Sequence, residues 1–238
     1  MKNILLLPLL LASNLLFGQV SRDTLKKVGT TPIYNFEDIN VFAFNSGFKI
    51  DADGSPHAYH KDNRKALDYL ANGGKPGNWW ALVTDNGRKG NPIVQTDSDP
   101  APGFYISMTS LQNKTKKFQN PGRYVDSESI PYIVLPPAFS THFSLGDIAL
   151  VINRKNNKRC FAIFADVGPR NKIGEGSIYL AKELGIHGSP KSGGATTGIL
   201  YILIKKSGKK MVLSKEEIQV IGKSKLSEER IDSLIKLI

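Results

Sequence analysis

From residue 34 onward the chain alternates short apolar runs with clusters of Gly, Pro, Asn and Asp, the texture of strands broken by turns. Runs at 92–95, 104–109, 132–135, 147–153, 159–165 and 198–205 read as strands. Asn156-Asn157 and Ser207-Gly208 read as hairpin-type turns. Helical periods are few. Residues 177–184 put Ile178, Ala181 and Leu184 on one face, with Gly185 as a C-terminal stop, and a second short helix is expected around 64–70. The last segment, 211–238, differs in character. Ser214-Lys-Glu-Glu217 has the form of a capping box, and Ile231, Leu234, Ile235 and Ile238 repeat at helical spacing after Ser227. The pattern predicts a mainly β domain over 34–210, a compact barrel or sandwich with one short helix, followed by a helical C-terminal tail. Residues 20–33 are polar and unpatterned and read as a flexible lead-in.

The first 19 residues change the compartment. Lys2 and Asn3 precede an apolar run, Ile4 to Ala12, and Ser13-Asn14 interrupts it short of the roughly 20 residues that span a bilayer. This reads as a secretory signal on a secreted or periplasmic protein without stable membrane insertion. Cys160 is the only cysteine, so no intramolecular disulfide forms and the core alone must hold the exported fold. Its apolar neighbours mark Cys160 as a small buried hydrophobe. The formal charge is +11, or +10 once Lys2 leaves with the signal. The basic residues are scattered, with knots at 114–117, 154–158 and 205–210, which favours solvated loops over a nucleic-acid footprint.

The richest segment runs from Phe161 to Ile178. An apolar strand ends in Asp166, a turn follows at Gly168-Pro169, and Glu175 lies between Gly174 and Gly176 ahead of a helix. A carboxylate at the end of a buried strand is costly unless paired or functional. Glycines on both sides of Glu175 would let backbone approach a ligand closely. Glycoside cleavage needs such a pair, one carboxyl donating a proton and the other activating water or attacking carbon. Spacing alone leaves a bland alternative open, in which Glu175 caps the helix and Asp166 satisfies turn amides. A helix N-terminus would also favour ionised Glu175, against an acid role.

Four stretches resemble glycoside hydrolase family 75, the fungal-type endo-chitosanases. They are Phe48-Lys-Ile-Asp-Ala-Asp-Gly-Ser-Pro-His-Ala-Tyr59, Ile130-Pro-Tyr-Ile-Val-Leu-Pro136, Leu145-Gly-Asp-Ile-Ala-Leu-Val151, and Asp166-Val-Gly-Pro169 with Ile173-Gly-Glu-Gly-Ser-Ile178. Their order and spacing also fit, over residues 35–204. The resemblance implies a six-stranded barrel of double-psi type with loop insertions. It implies Asp166 and Glu175 as the catalytic pair, inversion at the anomeric carbon, and by analogy Glu175 as general acid and Asp166 as general base. The implied substrate is chitosan or a related polysaccharide, cleaved at β-1,4 links by a monomer without cofactor. Fungal members carry cysteines near the early Asp-Gly segment, where this chain has Ala52. Residues 67–96 are similar to bacterial relatives, and the tail has no counterpart. Alternatives on the same fold are a hydrolase of another wall glycan such as peptidoglycan, or a non-catalytic polysaccharide-binding barrel.

Candidate substrate-binding residues are Asp51 and Asp53 for cationic sugar rings, and Trp79, Trp80 and Tyr105 as stacking platforms. Asp51-x-Asp53-Gly54 lacks the rest of a twelve-residue Ca²⁺ loop, so no metal is expected. His57 and His142 are candidates to assist proton traffic, though His142, beside Phe143, reads rather as a packed histidine. Chitosan with protonated amines is repelled by a strongly positive protein. A chitosanase should therefore gather its acids in the groove, with Asp51, Asp53, Asp97, Asp99, Asp126, Asp147, Asp166 and Glu175 available.

Overall fold

The computed structural model describes residues 23–238, and the signal reading of residues 1–19 lies outside them. In chain order the strands are β1 (Asp23–Val28), β2 (Thr31–Phe36), β3 (Val41–Asp51), β4 (Gly74–Lys75), β5 (Asn78–Trp79), β6 (Tyr132–Leu135), β7 (Ile148–Asn153), β8 (Lys158–Val167), β9 (Glu175–Ser177) and β10 (Ala195–Ile204). The helices are α1 (Leu70–Gly73), α2 (Ile178–Glu183), α3 (Lys215–Lys225) and α4 (Glu228–Leu237).

The sheet runs β1-β2-β3-β10-β7-β8-β6-β9, and β9 returns to pair with β3. Six strands therefore close into a barrel, with β1 and β2 as an antiparallel extension beside β3. Most pairings are antiparallel; β6–β8 and β3–β9 are parallel. Closure explains why β6, β7 and much of β8 are continuous apolar runs. Both faces are covered, so the alternation of a half-exposed strand is absent. One face collects Phe42, Phe44, Ile133, Val151, Phe164 and Tyr201, with Leu180 and Leu184 at α2. The other collects Val41, Val134, Leu150, Ile163 and Ile202, with Ile218, Ile231 and Leu234 of the last two helices. Cys160 is buried in the first cluster, where burial pushes its thiol up to about 12.

Several expectations are corrected. Residues 23–33 are not a flexible lead-in: they build β1 and the first half of β2, and Val28 and Ile33 enter the core. Their polar text reflects a position at the sheet edge. Residues 92–95 and 104–109 are not strands of the barrel. They belong to a loop layer over 52–131 in which, apart from the two-residue β4–β5 pair, single bridges such as Tyr59 to Tyr105 and Leu82 to Ser107 replace ladders. Residues 64–69 are not helical either, and α1 starts only at Leu70. Asp62 Oδ1 accepts from the Arg64 amide, and the Leu67 and Asp68 amides donate to His57 and Ala58 carbonyls, so helical pairing is pre-empted. Asn156-Asn157 does link β7 to β8, with Asn157 left-handed at φ 59°. Ser207-Gly208 does not close a hairpin, because the chain passes from β10 into the tail.

Candidate functional site

β8 runs apolar from Cys160 to Ala165 and then emerges, so Asp166 meets the surface at its end. The Leu111 amide donates to the Ala165 carbonyl at 2.8 Å, which docks the 109–111 loop beside it. Asp166 Oδ1 then accepts three hydrogen bonds, from the Ser110 amide (2.9 Å), the Ser110 hydroxyl (2.5 Å) and the Val167 amide (2.8 Å). Burial raises the Asp166 pKa while these donors oppose the rise.

Glu175 stands on β9, which lies between β3 and β6. It is a strand residue, and the helix cap belongs to Ser177, whose hydroxyl accepts from the Leu180 amide at 3.0 Å. The capping alternative for Glu175 is thereby removed. Gly174 and Gly176 serve close packing of protein on protein rather than of ligand on backbone. A Cβ at Gly174 would sit 2.4 Å from Ser46 Oγ, and one at Gly176 would sit 2.7 Å from the Tyr132 carbonyl. Lys49 is the register partner of Glu175 across the parallel pair. The Glu175 pKa is raised, by burial first and by Asp166 next, against the attraction of Lys49 and Lys172.

Both carboxylates line one open cleft of about 640 Å³, together with Asp51, Asp53, Asp68 and Trp80. Asp51 Oδ1 accepts from the Asp53 amide at 2.8 Å, and Asp53 Oδ1 accepts from the Tyr59 hydroxyl at 2.7 Å. Burial, then the neighbouring carboxylates, pushes Asp51 and Asp53 well above the usual carboxylate range. No family model matches the chain, and no curated protein matches it either. The site must be read from its own geometry.

That geometry gathers Asp51, Asp53, Asp166, Glu175 and Trp80 as expected from the sequence and leaves out Trp79 and Tyr105. Trp79, the last residue of β5, is buried against Ala52, Tyr59 and Leu82, while Trp80, just past the strand, is 44% exposed with its indole donating to the Asn72 carbonyl. Tyr105 packs against the same small core rather than on the cleft. Asp97 is exposed, and Asp99, Asp126 and Asp147 accept from nearby amides and hydroxyls; none of the four lines the cleft. His57 pairs with Glu128 at 2.9 Å and His142 packs on Phe42, both away from the cleft.

Sequence reasoning missed Lys49, Tyr59, Asp68, Ser110 and Lys172. Asp68 had a readable signal, a lone acid between Ala66-Leu67 and Tyr69-Leu70. Lys49, Tyr59 and Lys172 come to the cleft through tertiary pairing, and Ser110 acts on it through Asp166. Asp51, Asp53 and Asp166 each bring one oxygen within 4.8 Å of the others. Three carboxylates offering one oxygen each supply at most half of the roughly six to eight oxygens that Ca²⁺ takes, and among the described residues no histidine or thiolate joins the group.

Proposed function

We propose that this chain is an endo-acting glycoside hydrolase that cleaves β-1,4 links in chitosan with inversion. The single observation that carries the reading is that Asp166 and Glu175 open onto one groove. The resemblance to family 75, the double-psi form of the barrel and export by the first 19 residues are parts of the same proposal.

The hydrogen bonding divides the labour. Burial raises Asp166 as it raises Glu175, but on Asp166 three donors to Oδ1 oppose the rise, which suits it to the part of general base. Glu175 is raised by burial and by Asp166, which suits a proton donor. In the proposed reaction Glu175 gives its proton to the glycosidic oxygen as the C–O bond breaks. Asp166 takes a proton from the water that attacks the anomeric carbon from the opposite face. Trp80 offers a flat apolar surface to a pyranose ring.

The acids also account for substrate charge. On a chain of formal charge +11, Asp51, Asp53, Asp68, Asp166 and Glu175 converge on the same cleft, where amines of a polycation would be held. A second reading, another wall glycan, is favoured by Lys49 and Lys172 in the same walls.

Reducing-end release on chitosan, chitin and peptidoglycan, with Glu175→Gln beside wild type, tests these readings. The expected result is release from chitosan and a loss of about 10²–10⁴-fold in the variant, the range of general acid–base catalysis. The α-anomer should appear first by NMR. Equal release by Glu175→Gln would end the assignment. Release from none of the three would leave a binding barrel. Because the two carboxyls supply both donor and base, EDTA should leave the rate unchanged.

A further inference from the structure

A second cavity, of about 360 Å³, shares walls with the cleft: Lys49, Lys172 and Glu175 line both. The two halves differ in charge. Asp51, Asp53, Asp68 and Asp166 all line the first half and none lines the second. Apart from the three shared walls, the second half is built by the β1–β2 turn and the 171–174 loop, with Thr30, Thr31 and Asn171 as neutral hydrogen-bonding groups. The turn and that loop touch, since a Cβ at Gly29 would lie 3.2 Å from the Asn171 carbonyl.

We infer that this second half is a sugar subsite selective for an uncharged, N-acetylated ring, placed next to an acidic half that takes protonated glucosamine. The inference rests on the hydrolase reading above and refines its substrate to a partly acetylated chain cut at mixed junctions. A protonated amine placed in the second half would meet two lysine ammonium groups and no carboxylate except Glu175, which is already flanked by both lysines. An acetamide carries no charge to repel and can exchange hydrogen bonds with the threonines, Asn171 and the lysines. Its volume lies within the range of small-molecule sites.

Partly N-acetylated chitosan, digested by the full chain and sequenced at both product ends by mass spectrometry, tests the assignment. Wild type should give N-acetylglucosamine at one terminus well above its share in the polymer, and glucosamine at the other. Lys172→Gln should erase that bias and raise the rate on fully deacetylated chitosan relative to the mixed polymer by about tenfold, the effect of removing one close like charge. Thr30→Trp fills the second half without changing charge, and should erase the bias while leaving the pH profile in place. Termini that mirror the bulk composition in wild type, or a bias untouched by both variants, would overturn the subsite while the hydrolase reading stands. No new ends from any glycan would instead remove that reading, and the subsite with it.

Discussion

Asp51 is the residue on which the cleft imposes the heaviest cost. It is 8% exposed, with Glu175 and Asp166 as like-charged neighbours. Its folded-state pKa is raised, so between the unfolded carboxylate value near 3.8 and the higher folded value the native state binds more protons than the unfolded one. Stability must then fall as pH rises through that window. Asp53, Asp166 and Glu175 shift the same way and add to the trend. Asp51→Asn should therefore raise Tm at neutral pH, by about 2–4 °C for each kcal/mol relieved in a domain of this size, and should flatten the loss of Tm between pH 4 and pH 7. Activity on chitosan should drop in the same variant, a trade of function for stability that thermal denaturation beside kinetics would expose. Ser110 acts through Asp166. Ser110→Ala removes the hydroxyl donor but keeps the amide, so Asp166 holds its proton to higher pH. The acid limb of the kcat/KM profile should move upward, with Ser110→Thr restoring it. A limb that stays in place would show that the hydroxyl has no say in the Asp166 charge.

At the scale of elements, the strands buried on both faces were the legible ones. β6, most of β7, the 160–165 part of β8 and the 199–204 part of β10 stand in the sequence as apolar runs because closure leaves no wet face to alternate with. β3 was not picked out, since Asn45, Ser46 and Gly47 break its run, beside the register shift of β10 between Ala195 and Ile199. The loop layer over 52–131 was illegible for a different reason. Its order comes from single backbone bonds, such as Tyr105 to Tyr59 at 2.9 Å, and from side chains that accept from their own turns. The same limit applied to the site. Asp166 and Glu175 are close in sequence and could be read together, whereas Lys49 and Ser110 reach them only through β9 pairing and the Leu111–Ala165 bond. The final helices give an element-level test. Gly222 on α3 rests on Phe161, and a Cβ there would fall 2.2 Å from the ring. Gly222→Leu should lift α3 off β8 and lower Tm by several degrees. Cleavage of chitosan should persist below the new Tm, because no residue of α3 or α4 lines the cleft.

For the whole molecule the charge is divided against itself, positive in sum and acidic along the groove. Long-range repulsion of a polycation extends about 30 Å at 0.01 M salt and about 10 Å at 0.1 M. Contacts inside a partly buried cleft are screened far less. KM for chitosan should accordingly fall as salt rises from 0.01 to 0.1 M, with kcat nearly constant. A monotonic rise in KM over that interval would mean that attraction outside the cleft dominates. Among the described residues no helix is long and apolar enough to cross a membrane.

β9 has three residues, pairs with β3 on one side and β6 on the other, and carries Glu175 at its first position. The stitch that joins the two margins of the sheet therefore also carries the residue proposed as proton donor. Warming need only loosen that short seam, for an instant and without melting anything else, to silence the reaction. Inactivation should thus set in at temperatures where circular dichroism still records an intact β signature, and deuterium should enter the amides of 175–177 ahead of those in β7 and β10.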